Sequence, residues 1–195
     1  MLDSARYVFA LLWLISFPIL LFWIALHPFV AFWRRMGLAA TYTMLLTGCA
    51  AVSAILFGLR GPLLAVEFGT GPVFWGLAAV TFAASLAVEI PARKHLRPPI
   101  LVGVPELRGE GSREALLTTG IYAKIRHPRY VGATLGYVAS AFLANYLFLY
   151  AALPVLLLLL HTIVLLEERE LLGRFGDPYR AYMERVPRYV PRLRE

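Results

Sequence analysis

The sequence predicts an all-α integral membrane protein, built as a single domain over residues 1–195. We expect about five transmembrane helices, a C-terminal helical hairpin and short cytoplasmic helices after it. Hydrophobic residues make up 59% of the chain, whereas soluble domains contain about 45–50%. Several mostly apolar stretches also reach about 20 residues, which is the length that a helix needs to cross a bilayer core.

Three scaffold spans are predicted within residues 1–90. The first is Tyr7–Leu26, where Pro18 is expected to kink the helix. The second is Leu38–Leu59 and the third is Val73–Ile90. No basic region or small-residue cleavage site marks the first stretch as a signal peptide, so we interpret it as a retained span.

A polar segment, residues 91–129, separates these spans from an apolar run at residues 130–166. Prolines and glycines in the polar segment argue against one continuous helix. The apolar run is long enough for two tight spans of about 20 residues each, so we predict a helical hairpin. Its turn is placed near Asn145 and Tyr146, with Pro154 as the alternative.

The remaining residues, 167–195, are predicted to form a cytoplasmic tail that contains short helices. Gly176 suits a helix C-cap, Asp177 an N-cap and Pro178 a first helical position. A helix over about Tyr179–Val186 should follow.

The net charge of +7 is concentrated in the polar segment. Basic loops remain on the cytoplasmic side, so this segment and the C-terminus are predicted to lie inside and the N-terminus outside. The basic residues flank membrane spans, which favours contact with membrane lipid and argues against a nucleic-acid partner. The basic residues of the segment are Arg93, Lys94, Arg97, Arg108, Arg113, Lys124, Arg126 and Arg129.

Two further classes of site find no support in the sequence. The single cysteine, Cys49, excludes an internal disulfide and a cysteine-based zinc cluster, and the histidines and glutamates show no spacing like HExxH, so we predict no metal centre. The glycines at 109–111 do not follow a strand and do not form a dinucleotide-binding fingerprint.

A candidate site follows from the hairpin itself. Residues 120–132 (GIYAKIRHPRYVG) begin the hairpin, and Glu167 and Glu168 end it. Because a hairpin returns its end to the side that it left, Arg126, His127 and the two glutamates should face each other at one membrane surface. Clustered ionisable groups there indicate a functional site, and nearby rings can stack on a base or hold a cation. These rings are Tyr122, Tyr130, Tyr179 and Tyr182.

These residue types suit a ligand that carries a carboxylate, an amine, a sulfonium charge and an adenine, as S-adenosylmethionine does. They are equally typical of interfacial arginine anchors and of ordinary surface ion pairs that Glu167, Glu168 and Glu170 make with basic residues. The residue types alone leave both interpretations open. His161, two helical turns before Glu168, is also open to two interpretations: a hydrogen bond between helices or a role in proton transfer or substrate contact.

Four segments resemble the isoprenylcysteine carboxyl methyltransferase family of integral-membrane enzymes, and phospholipid N-methyltransferases share a related pattern. The resemblance is confined to the C-terminal part of the chain, with the segments in the same order and spacing. The segments are Leu117–Gly132 (LTTGIYAKIRHPRYVG), the pair Glu167-Glu168, Leu171–Tyr182 (LLGRFGDPYRAY) and Val186–Pro191 (VPRYVP).

The resemblance implies an S-adenosylmethionine pocket at the cytoplasmic end of the hairpin, closed by the C-terminal helices. Glu168 would hold the amino group of the cofactor, and Arg126 and Glu167 are assigned to catalysis because they would orient the acceptor. The cofactor-binding residues implied by position are Tyr122, His127, Pro128, Tyr130, Glu168, Tyr179 and Tyr182.

The expected function is therefore methyl transfer from S-adenosylmethionine to a lipophilic or membrane-anchored acceptor. A prenylcysteine-type carboxylate is the first choice, and a phospholipid or a small N-, S- or O-nucleophile is the alternative. A nicotinamide-dependent membrane reductase of related architecture and a non-enzymatic lipid-binding membrane protein are the rival classes. The sequence gives no indication of the oligomeric state.

Overall fold

The computed structural model describes residues 2–94, 103, 104, 107 and 116–192. The predicted breaks at prolines and glycines between residues 95 and 115 lie outside this described part. The helices are α1 (Leu2–Ser16), α2 (Ile19–Leu26), α3 (Val30–Met36), α4 (Leu38–Gly58), α5 (Arg60–Leu63), α6 (Pro72–Arg93), a 3-10 helix (Gly120–Ala123), α7 (Pro128–Ala144), α8 (Leu147–Phe175) and α9 (Asp177–Arg185).

Four helical stretches of the described chain are long and apolar enough to cross a membrane. This finding confirms the all-α membrane class. The fourth predicted span, the first helix of the hairpin, corresponds to α7, which has 17 residues and lies at the short end of the range for a membrane helix. The four longer stretches are Ser4–Leu26, Leu38–Gly58, Pro72–Arg93 and Leu147–Phe175.

Two positions show how local sequence sets helix boundaries. The first span breaks at Phe17 and Pro18, between α1 and α2, because proline lacks the N–H that would continue the ladder. Near the C-terminus, Gly176 ends α8 with a positive φ of 60°. Asp177 is already the first residue of α9 and Gly176 is its N-cap, so the prediction that Asp177 is the N-cap is wrong. Gly176 takes that position since its φ favours glycine.

Among the described helices, α6 and α7 make the most extensive contact. Gly132 makes this approach possible, because a Cβ at this position would lie 2.5 Å from Cγ of Glu89. One turn away, the hydroxyl of Ser85 donates a hydrogen bond of 2.8 Å to the carbonyl oxygen of Gly132. The start of α7, which carries the candidate site, is therefore fixed against the C-terminal end of α6.

We expect Gly132→Ala to lower the free energy of unfolding by about 1–3 kcal/mol, the usual range for an overpacked contact. The methyl group would force the Glu89 side chain or the helix to move. Chemical denaturation of the purified protein measures the change. In the background of Glu89→Ala, where the obstructing side chain is absent, the same substitution should have little effect; an equal loss in both backgrounds would refute the steric explanation.

The hairpin turn lies at Asn145 and Tyr146, as predicted, and Pro154 lies inside α8. Asn145 has a φ of 58°, a left-handed conformation that asparagine tolerates better than most residues. Its side-chain amide donates to the carbonyl oxygen of Gly69 at 2.9 Å, and its side-chain oxygen accepts from the Tyr150 hydroxyl at 2.7 Å. Both polar groups of the buried Asn145 side chain are thus satisfied.

The N-terminal helix is tied to the same end of the hairpin by Arg6. The buried guanidinium donates from Nε to the carbonyl oxygen of Ala144 at 3.1 Å and lies 3.5 Å from the carboxylate of Glu67. An isolated antiparallel bridge also joins Glu67 to Tyr146. Beyond these contacts, the main apolar core lies between α1, α7 and α8, and leaves the opposite end of the hairpin for the candidate site.

Candidate active site

The site is assembled from three pieces of chain at the end of the hairpin away from Asn145. The loop before α7 carries Arg126 and His127, α8 carries Glu167 and Glu168, and the tail after α9 runs beside the loop. The backbone N–H of Arg126 donates to the carbonyl oxygen of Pro187 at 2.9 Å, and that of His127 to Arg188 at 3.1 Å. The tail is therefore held against the loop by main-chain bonds.

Glu168 is the centre of the site. Its side chain is 4% exposed, and its Oε1 accepts hydrogen bonds from Nη2 of Arg126 at 2.8 Å and lies 3.0 Å from Nε2 of His127. Its Oε2 accepts a bond of 2.6 Å from Nη2 of Arg188. The loop, the hairpin and the tail thus meet on one buried carboxylate. Their donors pair with its charge, as a buried charge requires.

Arg126 connects this carboxylate to α9. While Nε and Nη2 bind Glu168, Nη1 donates to the carbonyl oxygens of Met183 and Val186, at the C-terminal end of α9. A guanidinium suits this task because its planar fork presents several donors at fixed angles. The assignment of Arg126 to the acceptor stays a prediction, and these contacts favour a positioning role.

Three tyrosines form a buried aromatic layer beside Glu168. Tyr122 lies in the 3-10 helix, and Tyr179 and Tyr182 lie on α9 with ring centroids 5.9 Å apart. The hydroxyl of Tyr182 donates to the carbonyl oxygen of Tyr122 at 2.6 Å. Burial raises the pKa of Tyr182 to about 12 and also raises the pKa of Tyr122 and of Tyr179. All three phenols therefore remain neutral donors at physiological pH.

Three polar atoms of this region are buried and have no hydrogen-bond partner among the described residues. They are the hydroxyl oxygens of Tyr122 and Tyr179 and the Oε2 atom of Glu167. The Nδ1 atom of His127 lies 3.8 Å from Oε2 of Glu167, which is beyond hydrogen-bond distance. Buried polar atoms of proteins are normally bonded, so these atoms are suited to receive a polar ligand.

The other predicted residues lie at the start of α7. Pro128 is the first residue of this helix and is buried. Tyr130 packs its ring against His127, with centroids 5.7 Å apart. The structure thus brings all nine predicted residues to one end of the hairpin, in two groups: the layer that covers Glu168 and the residues that begin α7.

Sequence reasoning missed Arg188 and Tyr189. Arg188 binds both oxygens of Glu168, and the hydroxyl of Tyr189 lies 2.8 Å from Nδ1 of His161. Both residues belong to the VPRYVP segment, where they lie between Pro187 and Pro191. This segment was part of the family resemblance, which was the available signal that it belongs to the site. An arginine in a basic tail resembles a topology signal, so its pairing with a carboxylate on α8 could not be read from the sequence.

A cavity of about 350 Å³ lies between α7 and α8 beside this cluster. Tyr130 and Tyr189, which border it, also contact the ring of His127, the latter with centroids 6.5 Å apart. The cavity therefore adjoins the residues that hold Glu168. Its lining residues are Tyr130, Val131, Thr134, Leu135, Leu157, Leu160, His161 and Tyr189.

Comparisons with known proteins locate a family signal in this part of the chain. Residues 108–178 match the model of the phospholipid methyltransferase family. A stretch of 71 residues, 36% of this chain, is 34% identical to methanethiol S-methyltransferase 1 of Bradyrhizobium diazoefficiens and spans 24% of that protein's length. No solved structure matches the chain. These matches confirm the resemblance of the C-terminal part and support a membrane methyltransferase.

Proposed function

We propose that this protein transfers a methyl group from S-adenosylmethionine to a lipophilic acceptor at the membrane surface. The observation that carries the proposal is the set of buried, unsatisfied polar atoms on Tyr122, Tyr179 and Glu167. They adjoin the closed ion-pair cluster of Glu168, and Tyr122 and Glu167 lie within the segment that matches the methyltransferase family. One carboxylate oxygen and two phenol donors suit a ligand with both an amine and a carboxylate.

Glu167 is the better candidate for the cationic part of the cofactor. Its Oε2 is buried and has no hydrogen-bond partner among the described residues, and the surrounding tyrosine rings can also attract a cation. Glu168 is already bonded to Arg126, His127 and Arg188, which favours a role in holding the pocket closed. Its assignment to the amino group of the cofactor stays a prediction.

The chemistry requires little from the protein beyond placement. S-adenosylmethionine supplies an electrophilic methyl group when bound, so the chain itself needs no covalent nucleophile. The residues around Glu168 would fix the pocket in one geometry, which favours in-line attack. The tyrosine layer of α9 would exclude water, which strengthens the electrostatic contacts inside.

The acceptor and the orientation are further parts of the proposal. The resemblance favours a prenylcysteine-type carboxylate, whereas the name of the Bradyrhizobium relative points to a thiol; both acceptors suit an entrance from the membrane. Arg93 and Lys94 end α6, which contacts the 3-10 helix of the site. Since basic residues favour the cytoplasmic side, the site would face the cytoplasm.

Calorimetric titration with S-adenosylhomocysteine tests this function on the detergent-purified protein. We expect one binding site, and no heat from NADPH under the same conditions. Binding of NADPH alone would replace the proposal with the reductase alternative. A folded sample that binds neither compound in detergent or in lipid nanodiscs would contradict the methyltransferase proposal.

Tyr122→Phe and Tyr179→Phe locate that ligand. Each should weaken S-adenosylhomocysteine binding by up to about tenfold, because a hydrogen bond contributes about 0.5–1.5 kcal/mol. Neither should lower the thermal stability of the free protein, since the lost hydroxyls have no partner there. Tyr150→Phe is the matched control: its hydroxyl binds Asn145 at the other end of the hairpin, so it should lower stability and leave affinity unchanged.

A further inference from the structure

The cavity between α7 and α8 has a distinctive chemical lining. None of its eight described lining residues carries a formal charge when the histidine is neutral, and four of them are aliphatic. The polar groups are the hydroxyls of Thr134, Tyr130 and Tyr189 and the imidazole of His161. A histidine within a membrane-spanning helix is uncommon and indicates a function.

His161 is held in a defined orientation by the tail. Its Nδ1 lies 2.8 Å from the hydroxyl of Tyr189, and the two rings contact each other with centroids 5.9 Å apart. The Tyr189 hydroxyl can accept from Nδ1 or donate to it, and Nε2 is the other polar atom of the ring. If Nδ1 carries the proton and donates to Tyr189, Nε2 is a base.

We propose that His161 accepts a proton from a neutral thiol acceptor that occupies this cavity, and that Tyr189 is the positioning residue that orients His161. This inference rests on the proposed function. In the reaction, the S–H bond of the acceptor breaks and its proton moves to Nε2 of His161. The sulfur electron pair forms the bond to the methyl carbon, and the bond between that carbon and the sulfonium breaks, with its electrons remaining on the cofactor sulfur.

The lining favours a thiol over the other acceptors. A carboxylate acceptor brings a full charge into a lining without a cationic side chain, which is unfavourable, and it has no proton for a base to remove. An alkylamine is a cation at neutral pH and would need a carboxylate there. A thiol is neutral, weakly hydrated and reactive only after deprotonation, so an apolar cavity with one base fits it.

Contact with the cofactor site supports the same assignment. The rings of Tyr130 and Tyr189 border both the cavity and His127, and His127 contacts Glu168. An acceptor in the cavity therefore lies next to the cluster that closes the proposed cofactor pocket. The apolar remainder of the acceptor would lie along Leu135, Leu157 and Leu160.

The test uses the full chain in detergent with S-adenosylmethionine and three probes of equal length: 1-decanethiol, decanoate and decylamine. Mass spectrometry of the methylated products measures the rates, and calorimetry with S-adenosylhomocysteine is run in parallel. We expect the thiol to be the preferred acceptor. With His161→Asn, its rate at pH 7 should fall about a hundredfold, the lower range for a general base, while cofactor affinity is unchanged.

The pH profile separates a proton acceptor from a structural residue. In His161→Asn the rate with decanethiol should rise tenfold per pH unit until the thiol itself ionises. Without the base only thiolate reacts, and the fraction of thiolate rises tenfold per pH unit below the pKa of the thiol. Tyr189→Phe keeps the ring and should lose about tenfold at pH 7, the value of one hydrogen bond, which provides a second test if the first variant does not fold.

Distinct outcomes overturn distinct claims. Methylation of decanoate or decylamine without decanethiol, or loss of less than threefold with an unchanged pH profile in the variants, overturns the role of His161 while leaving the methyltransferase function intact. Failure of the wild-type protein to bind S-adenosylhomocysteine overturns the proposed function and this inference together.

Discussion

Replacing Glu168 with glutamine is expected to weaken S-adenosylhomocysteine binding at least a hundredfold and to lower the free energy of unfolding by about 3–5 kcal/mol. The substitution preserves the shape of the side chain and removes its charge. Arg126 and Arg188 would then lie in a partly dry site without the carboxylate that compensates them. Uncompensated buried charge is among the largest destabilising effects of a single substitution.

Two measurements on the same sample examine this expectation: calorimetry for affinity and chemical denaturation for stability. Glu184→Gln is the matched control, because it is the same chemical change at a residue that lies exposed on α9. It should alter neither quantity. If Glu168→Gln binds ligand with wild-type affinity, the Glu168 cluster does not hold the pocket, and the site must be placed elsewhere.

Replacing Arg126 with methionine is expected to release α9 and the tail from the hairpin. The variant loses the bonds from Nη1 to Met183 and Val186 and two bonds to Glu168. Hydrogen bonds that involve a charged group contribute about 1.5–3 kcal/mol each. Loss of the two carbonyl bonds alone, about 3 kcal/mol, corresponds to more than a hundredfold increase in local opening.

Hydrogen exchange at single-residue resolution measures this opening. The amide of His127, which donates to Arg188 across the loop and the tail, and the amide of Val186, which donates to Tyr182 at the end of α9, should exchange faster. The amide of Leu147 at the far turn should not change. Arg185→Met is the control, since the Arg185 guanidinium bonds only within its own helix among the contacts described. Equal acceleration in both variants would show that Arg126 does not act as the clamp.

The sequence predicted those features that depend on local chemistry. Pro18 interrupts the first span because of its missing N–H, and Asn145 forms the turn because its side chain tolerates a positive φ. The meeting of Arg126, His127 and Glu168 followed from hairpin geometry alone. Each of these conclusions needed only residues that are close in the chain or are related by one antiparallel return.

Features that depend on distant segments could not be predicted in the same way. The packing of Glu89 over Gly132 requires knowing that α6, and not only α8, lies beside α7. The contact of Arg188 with Glu168 requires the path of the tail back over the loop. In both cases the residue types are common in membrane proteins, and only the spatial arrangement gives them a specific role.

The bond between Arg6 and Ala144 has a consequence for biogenesis. The two residues are 138 positions apart, so α1 meets its acceptor only after the hairpin has been synthesised. Arg6 also lies 3.5 Å from the carboxylate of Glu67, which is synthesised before the hairpin. A chain that has not yet made α7 can therefore already form this ion pair, and completion of the hairpin adds the hydrogen bond to Ala144.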